Sequence, residues 1–201
     1  MTKRILDIVF ASILLVLTAP VQAAVAALVA SNLGRPILFT QERAGMNGSR
    51  FRLVKFRSMR PQAAKAPFLT DEQRMTGPGR ALRRFRLDEL PQLWLILRGK
   101  MAFVGPRPLY PDAHSLSNEE LFRYRHRVRP GLTGWAQVNG NTLLEEREKL
   151  ALDAVYVERS SLLFDLTIVM MTVGVILGGE RRNEIEIAEA LRYADRIGRD
   201  S

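Results

Sequence analysis

The longest uniform stretch of the chain is apolar and uncharged: Ile8 to Ala30, about 23 residues and roughly 34 Å as a helix, enough to reach across a hydrocarbon core. A cleaved signal peptide is a rival reading. Its apolar region is shorter and ends at a small-residue cleavage site. Pro20 falls mid-run, where it removes a helix hydrogen bond, so the pattern predicts either a kinked spanning helix or one that breaks and returns. Lys3 and Arg4 precede the run, and Arg35, Arg43 and Arg50 follow it. Basic residues at both ends favour the returning form, with both ends in the cytoplasm. A second apolar stretch, Leu166 to Leu177, is about 12 residues, too short to span and suited to a buried or interfacial helix.

Between these stretches the pattern shortens. Ile37–Gln41 and Phe51–Arg57 alternate as strands around Asn47-Gly48, a hairpin signal. Pro61–Pro67 reads as a loop and Gly77-Pro78-Gly79 as a break. A short amphipathic helix over Arg80–Arg86 is expected next. It leads to Leu87–Gly99, with Asp88 as helix N-cap, Glu89 and Pro91 in the first turn and Gly99 as stop. In Arg123–Arg129 a strand gathers four arginines on one face and a helix scatters them. Ile187, Leu191 and Ala194, within Asn183–Arg199, have helical spacing suited to docking on the same domain or on a partner, a homodimer included.

Composition narrows the chemistry. The 201 residues carry no cysteine, which excludes disulfides, thiolate catalysis and cysteine-ligated zinc. Two histidines, His114 and His126, argue against a multi-histidine metal site. A net charge of +9, concentrated in Arg35–Arg60, Arg80–Arg86 and Arg123–Arg129, suits anionic partners: phosphates, acidic headgroups or nucleic acid. No nucleic-acid module is readable, and aromatic residues are only 7% without a stacking pattern, so nucleic acid is set aside.

Asp88-Glu89 reads first as the acidic start of an ordinary helix. The functional reading has carboxylates at a helix start, flanked by Arg83, Arg84 and Arg86, acting on phosphorus or holding Mg²⁺. Two prolines around Arg107 stiffen that loop for phosphate recognition, or simply make a rigid turn. The turn-rich Arg129–Gly140 segment offers the amides of Gln137 and Asn139 to a pocket, and a structural turn reads equally well.

Taken in order, Lys3-Arg4-x-x-Asp7, Phe39-Thr40-Gln41-x-Arg43-x-Gly45, Lys55–Met59, Leu87–Gln92, Val104–Pro108 and Arg129–Gly140 closely resemble the bacterial sugar transferases, the monotopic phosphoglycosyl transferases. The likeness runs from Lys3 to about Gly178 and is to their minimal catalytic form, without extra N-terminal membrane helices. The resemblance implies a UDP-sugar as donor, undecaprenyl phosphate as acceptor and UMP as product. It implies Asp88 as nucleophile forming a phosphoglycosyl-aspartate, Glu89 as its partner, and Mg²⁺ on the dyad. It also implies a re-entrant helix at the cytoplasmic face of the bacterial inner membrane, broken at a Ser-Pro pair that is Ala19-Pro20 here, with Thr18 just before. Carboxylate attack on an anionic diphosphate needs fixed positive charge, for which Lys55, Arg57, Arg83 and Arg107 are the candidates, with Gln137 and Asn139 as further substrate contacts.

The expected architecture is α+β and mostly helical. Residues 1–32 form the re-entrant membrane helix broken at Pro20, with Lys3 and Arg4 at the membrane surface. Residues 33–180 form a compact cytoplasmic catalytic domain with a small β-hairpin and amphipathic interfacial helices, and 181–201 a helical extension. Two other readings compete: a basic membrane-anchored recruiter of anionic lipid or nucleic acid, and an inactive scaffold. Neither uses the ordered Asp-Glu and Pro-Arg-Pro motifs.

Overall fold

The computed structural model describes residues 2–61, 70–111 and 119–197. The expected loop after Pro61, His114, and Gly198 and Arg199 of the C-terminal segment lie outside the described residues. The fold is α+β and mostly helical, with two small sheets among the described residues.

Helix α1 (Thr2–Leu33) is apolar on nearly every side and buries only Asp7, Ala11, Val25 and Val29. The expected break at Pro20 is not seen, because helical structure runs through it. The Thr18 hydroxyl donates to the Leu14 carbonyl at 2.6 Å, and Gln22 Nε2 donates to Thr18 Oγ1 at 3.0 Å. These side-chain bonds support the turn where proline supplies no N–H, and such back-bonding bends helices rather than ending them.

Both ends of α1 dock on the same body. Near the start, Arg4 donates to the carbonyls of Ile96 and Leu97, Asp7 accepts from Phe103 N, and Ala11 packs with Leu93 and Ile96. Near the end, Val25 and Val29 pack with Phe56 and Leu82. Between them Val16 and Leu17 are 75% and 67% exposed, so the middle of the helix stands clear of the protein.

Strands β1 (Leu38–Ala44) and β2 (Arg50–Phe56) form an antiparallel hairpin in the register Leu38↔Phe56 to Ala44↔Arg50. Asn47 (φ 55°) and Gly48 (φ 72°) both adopt the left-handed conformation that Asn-Gly tolerates. Period two puts Lys55 on the inward face of β2 with Phe51 and Leu53, which positions its ammonium beneath the sheet.

After the short α2 (Asp71–Arg74), helix α3 (Gly77–Arg84) starts earlier than its apolar pattern suggests. Thr76 Oγ1 accepts from Gly79 N, and Pro78 lies in the first turn, so the supposed break is a helix start. Gly79 is demanded by packing, since a Cβ there would lie 1.8 Å from the Ser58 carbonyl. Arg86 then takes φ 57° and turns the chain into a 3-10 segment, Leu87–Gln92, followed by α4 (Leu93–Leu97). Arg86, not Asp88, occupies the N-cap position. Asp88 sits inside the 3-10 turn because the left-handed residue moved the start back by two.

The rest of the chain forms the main core. Strands β3 (Ala102–Val104) and β4 (Gly131–Thr133) pair in parallel, with Gly105 and Gly131 so close that a Cβ on Gly131 would lie 2.1 Å from Gly105 N. Helices α5 (Glu119–Arg125), α6 (Trp135–Val138), α7 (Glu146–Arg159) and α9 (Glu184–Ile197) bury Leu121, Trp135, Leu152, Tyr156 and Ile187 together. The C-terminal apolar face therefore docks on its own domain, through Ile187, Ala190 and Ala194. The arginine run is helical through Arg125, and its charges scatter: Arg123 pairs at the surface with Glu119, and Arg125 is buried against Asp153.

Helix α8 (Leu162–Gly178) buries only Asp165 and Ile168, while Leu163, Leu166, Met170 and Leu177 are exposed, which favours the interfacial over the buried alternative.

Candidate active site

The 3-10 turn brings Asp88 and Glu89 under the hairpin, where they are only 5% and 7% exposed. Buried carboxylates persist only with charge partners. Lys55 Nζ, reaching in from β2, lies 2.9 Å from Glu89 Oε1. Arg107 Nη2, held between two prolines, lies 3.5 Å from the same oxygen, and Arg86 Nη1 lies 3.8 Å from it. Arg83, one turn before, donates from Nε to Ser58 Oγ at 3.0 Å.

These surroundings drive the two adjacent carboxyls apart. Burial raises Asp88 above the usual carboxylate range and the Glu89 charge adds to it, while Lys55 and Arg83 offset only part of the rise. Burial also works to raise Glu89, but Arg107, Lys55 and Arg86 together outweigh it and hold that carboxyl low. One carboxylate is thus a firmly ionised anchor for three cations. The other is desolvated and more basic, the condition of a nucleophile or proton acceptor.

Two clefts meet at the dyad. One, about 580 Å³, lies against the end of α8 and is lined by Glu89, Arg86, Arg107, Asn141, Leu177 and Glu180 among others. The other, about 710 Å³, lies along the hairpin, with Arg43, Arg57, Ser58, Arg74 and Tyr110 in its walls. Among the described residues, only Lys55, Arg83 and Asp88 line both. Among the described residues Asp88 is the single carboxylate that lines both clefts.

The expected site residues divide into those gathered here and those used elsewhere. Lys55, Arg83 and Arg107 surround the dyad. Arg57 lines the hairpin cleft but donates to the carbonyls of Leu33 and Gly34, closing the end of α1. Gln137 is buried behind Glu89 in a separate apolar groove, with Nε2 3.5 Å from the Leu132 carbonyl. Asn139 is fully buried, donates to the Trp135 carbonyl at 2.9 Å and lines neither cleft. Lys3 and Arg4, expected at the membrane surface, bond protein groups: Lys3 pairs with Asp165 and donates to Tyr156 Oη and the Val104 carbonyl.

The sequence places Arg86 beside the dyad, as the structure does, but leaves it out of the substrate-charge candidates, and it gives no sign of Glu180 or Tyr110. Glu180 accepts from Asn141 Nδ2 and from Thr142, and lies 3.5 Å from Arg86 Nη2, which ties the end of α8 to Glu89 through one guanidinium. Tyr110 stacks beneath the Arg43 guanidinium at 3.8 Å. No local spacing marks either contact. A mid-chain tyrosine and an acid after a helix carry no signal until the fold joins them.

Among the described residues no group of three or more His, Cys, Asp or Glu is gathered. Mg²⁺ commonly takes one or two carboxylates with substrate phosphates and waters, and Asp88 with Glu89 fits that donor set when a diphosphate is present.

The family profile for bacterial sugar transferases matches residues 1–179. The chain is 40% identical over 192 residues to the sugar transferase EpsL of Bacillus subtilis (strain 168), covering 95% of each chain. It is 38% identical over 186 residues to the UDP-glucose:undecaprenyl-phosphate glucose-1-phosphate transferase of Escherichia coli (strain K12), covering 85% of this chain and 39% of that one. It is 37% identical over 185 residues to the UDP-N-acetylgalactosamine-undecaprenyl-phosphate N-acetylgalactosaminephosphotransferase of Aeromonas hydrophila, covering 88% of this chain and 44% of that one. The chain thus spans nearly all of EpsL and less than half the length of the other two.

Proposed function

The chain belongs to the bacterial sugar transferase family, and from that premise we propose that it is a phosphoglycosyl transferase moving a sugar phosphate from a UDP-sugar to undecaprenyl phosphate. The observation that carries the reading is the placement of Asp88, shared by two clefts that otherwise have, among the described residues, only Lys55 and Arg83 in common. A group that must meet two substrates in turn needs that placement.

The proposed sequence has two displacements. An Asp88 carboxylate oxygen forms a bond to the β-phosphorus of the donor, and the bond from that phosphorus to the bridging oxygen breaks. UMP leaves with the bridging oxygen and its electron pair. A phosphate oxygen of the lipid then bonds the same phosphorus, and the Asp88 carboxylate is released with its electrons, giving a polyprenyl diphosphate sugar.

Lys55, Arg83, Arg86 and Arg107 supply positive charge fixed before the reaction, which suits a reaction among anions. Glu89 holds three of these cations through Oε1 and keeps them beside Asp88. Mg²⁺, held by Asp88 and Glu89 with the donor's phosphates, would neutralise charge on the diphosphate.

The membrane arrangement proposed is re-entrant, with the catalytic body on the cytoplasmic face of the bacterial inner membrane. Among the described residues α1 is the one helix long and apolar enough to cross a bilayer. Its two ends dock on a single body while its middle is exposed, which supports entry and return on one side.

The test is UMP release by purified enzyme with Mg²⁺, undecaprenyl phosphate and a panel of UDP-sugars. The panel includes glucose and N-acetylgalactosamine, the sugars in the names of relatives at similar identity. Sustained release that requires lipid and Asp88 supports the reading. No release from any donor by folded enzyme rejects it.

A further inference from the structure

A third cavity lies behind the dyad, between the inner side of α8 and the core. It is a groove of about 240 Å³ walled by Leu90, Phe103, Leu132, Val169, Val173 and Ile176. Its lining is almost wholly apolar. The polar exceptions are few: Thr133 and Thr172 share a hydrogen bond of 2.7 Å, Thr172 also donates to the Ile168 carbonyl at 2.7 Å, and Gln137 has Nε2 3.5 Å from the Leu132 carbonyl and a buried Oε1 without a partner among the described residues. Charge appears at one end only, where Arg86 and Glu89 line both this groove and the cleft beside α8. Val175 and Ile176 also line both.

The groove is reachable from outside, since Val169, Val173 and Ile176 are 40%, 50% and 36% exposed. The neighbouring stripe of the same helix, about a fifth of a turn away, presents Leu166, Met170 and Leu177. An apolar channel that opens on an apolar surface and ends in a basic cleft matches one ligand chemistry: a hydrocarbon chain carrying a terminal phosphate.

We infer that this groove seats the first isoprene units of the lipid acceptor, with α8 as its outer wall and Arg86 at the junction with the phosphate. The inference rests on the proposed reaction and adds the path by which the acceptor reaches it. The groove joins the cleft on the α8 side of Asp88, so the lipid approaches from there and the hairpin cleft is left to the nucleotide.

The test is photo-crosslinking of the full chain in lipid nanodiscs, using a polyprenyl phosphate with a diazirine in its second isoprene unit. Adducts are expected on residues 132–138 and on Val169 or Val173, and excess undecaprenyl phosphate should remove them where excess phosphatidylglycerol does not. Adducts confined to α1 or to Leu166 and Met170 overturn the inference. So do groove adducts that phosphatidylglycerol displaces equally, which mark the occupant as a bulk acyl chain.

As a second arm, Val173→Trp should raise the KM for undecaprenyl phosphate about tenfold or more, the scale of a few buried methylenes, without a matching rise in the donor KM. Unchanged lipid KM in a folded Val173→Trp enzyme also overturns it. Wild-type enzyme that releases UMP yet gives no groove adduct rejects the groove and leaves the reaction standing. Enzyme that releases no UMP from any donor rejects both.

Discussion

Arg125 and Asp153 form an ion pair of 2.8 Å with side chains only 3% and 2% exposed, and the same guanidinium donates to the carbonyl of Arg107. A buried pair thus holds the backbone of the loop that aims Arg107 at Glu89. Removing one partner leaves an uncompensated buried charge, so Arg125→Met should destabilise by about 3–5 kcal/mol. Arg125→Met/Asp153→Leu should recover much of that loss. Thermal unfolding in detergent checks both, and a double variant no more stable than the single one contradicts the account.

Arg107 itself contributes charge at the dyad rather than packing, since its side chain is 41% exposed. Arg107→Ala should lower kcat/KM for the UDP-sugar by about 10²-fold, the usual scale for losing one preorganised electrostatic contact. Melting temperature and membrane recovery should barely change. Equal loss of activity and membrane association removes the proposed role.

Asp88 is buried with a raised pKa, so its ionised form opposes folding. The sign follows: a folded pKa above the unfolded one means that this group's contribution to stability grows as pH falls through the folded value. At neutral pH Asp88→Asn should therefore be more stable than wild type, by about 2–4 °C in melting temperature for each kcal/mol relieved. It should also be inactive. A destabilised Asp88→Asn contradicts the strained-carboxylate account.

Glu148 shows the opposite sign. Arg182 holds its carboxylate with hydrogen bonds of 2.8 and 2.9 Å and keeps its pKa below the usual 4.5. That contribution is present above the unfolded carboxylate pKa and is lost as pH falls through the depressed folded value. Arg182→Ala should lower stability at pH 7 and flatten the acid limb between the two values. Melting temperatures across that range decide it, and an unchanged acid limb rejects the pair as its source.

The absence of cysteine makes topology directly testable. Single cysteines at Thr2 and Ser31, labelled with a membrane-impermeant maleimide, should both react only from the cytoplasmic side. Reaction from opposite sides establishes a spanning helix instead.

Much of this was legible in the chain because local patterns carried it. Charge-free length announced α1, Asn47-Gly48 fixed the hairpin, and the ordered motifs marked Asp88, Glu89, Lys55 and Arg107. What escaped depended on contacts between distant elements. Pro20 does not interrupt α1, where bonds from Thr18 and Gln22 support the turn. Asp88 is not a cap because Arg86 accepts a left-handed backbone. Lys3 and Arg4 read as membrane-flanking charges, yet they find Asp165 and the carbonyls ending α4. Arg125 looked like one more surface arginine until α7 brought Asp153 to it.

The central claim is that Asp88 becomes covalently loaded. Detergent-purified enzyme should be mixed with Mg²⁺ and the UDP-sugar that supports turnover, without lipid, and its intact mass recorded. The account predicts a gain of one sugar-phosphoryl group, mapped by peptide analysis to Asp88, discharged by undecaprenyl phosphate and absent in Asp88→Asn. Normal turnover by Asp88→Asn, or an adduct on another residue, would contradict it.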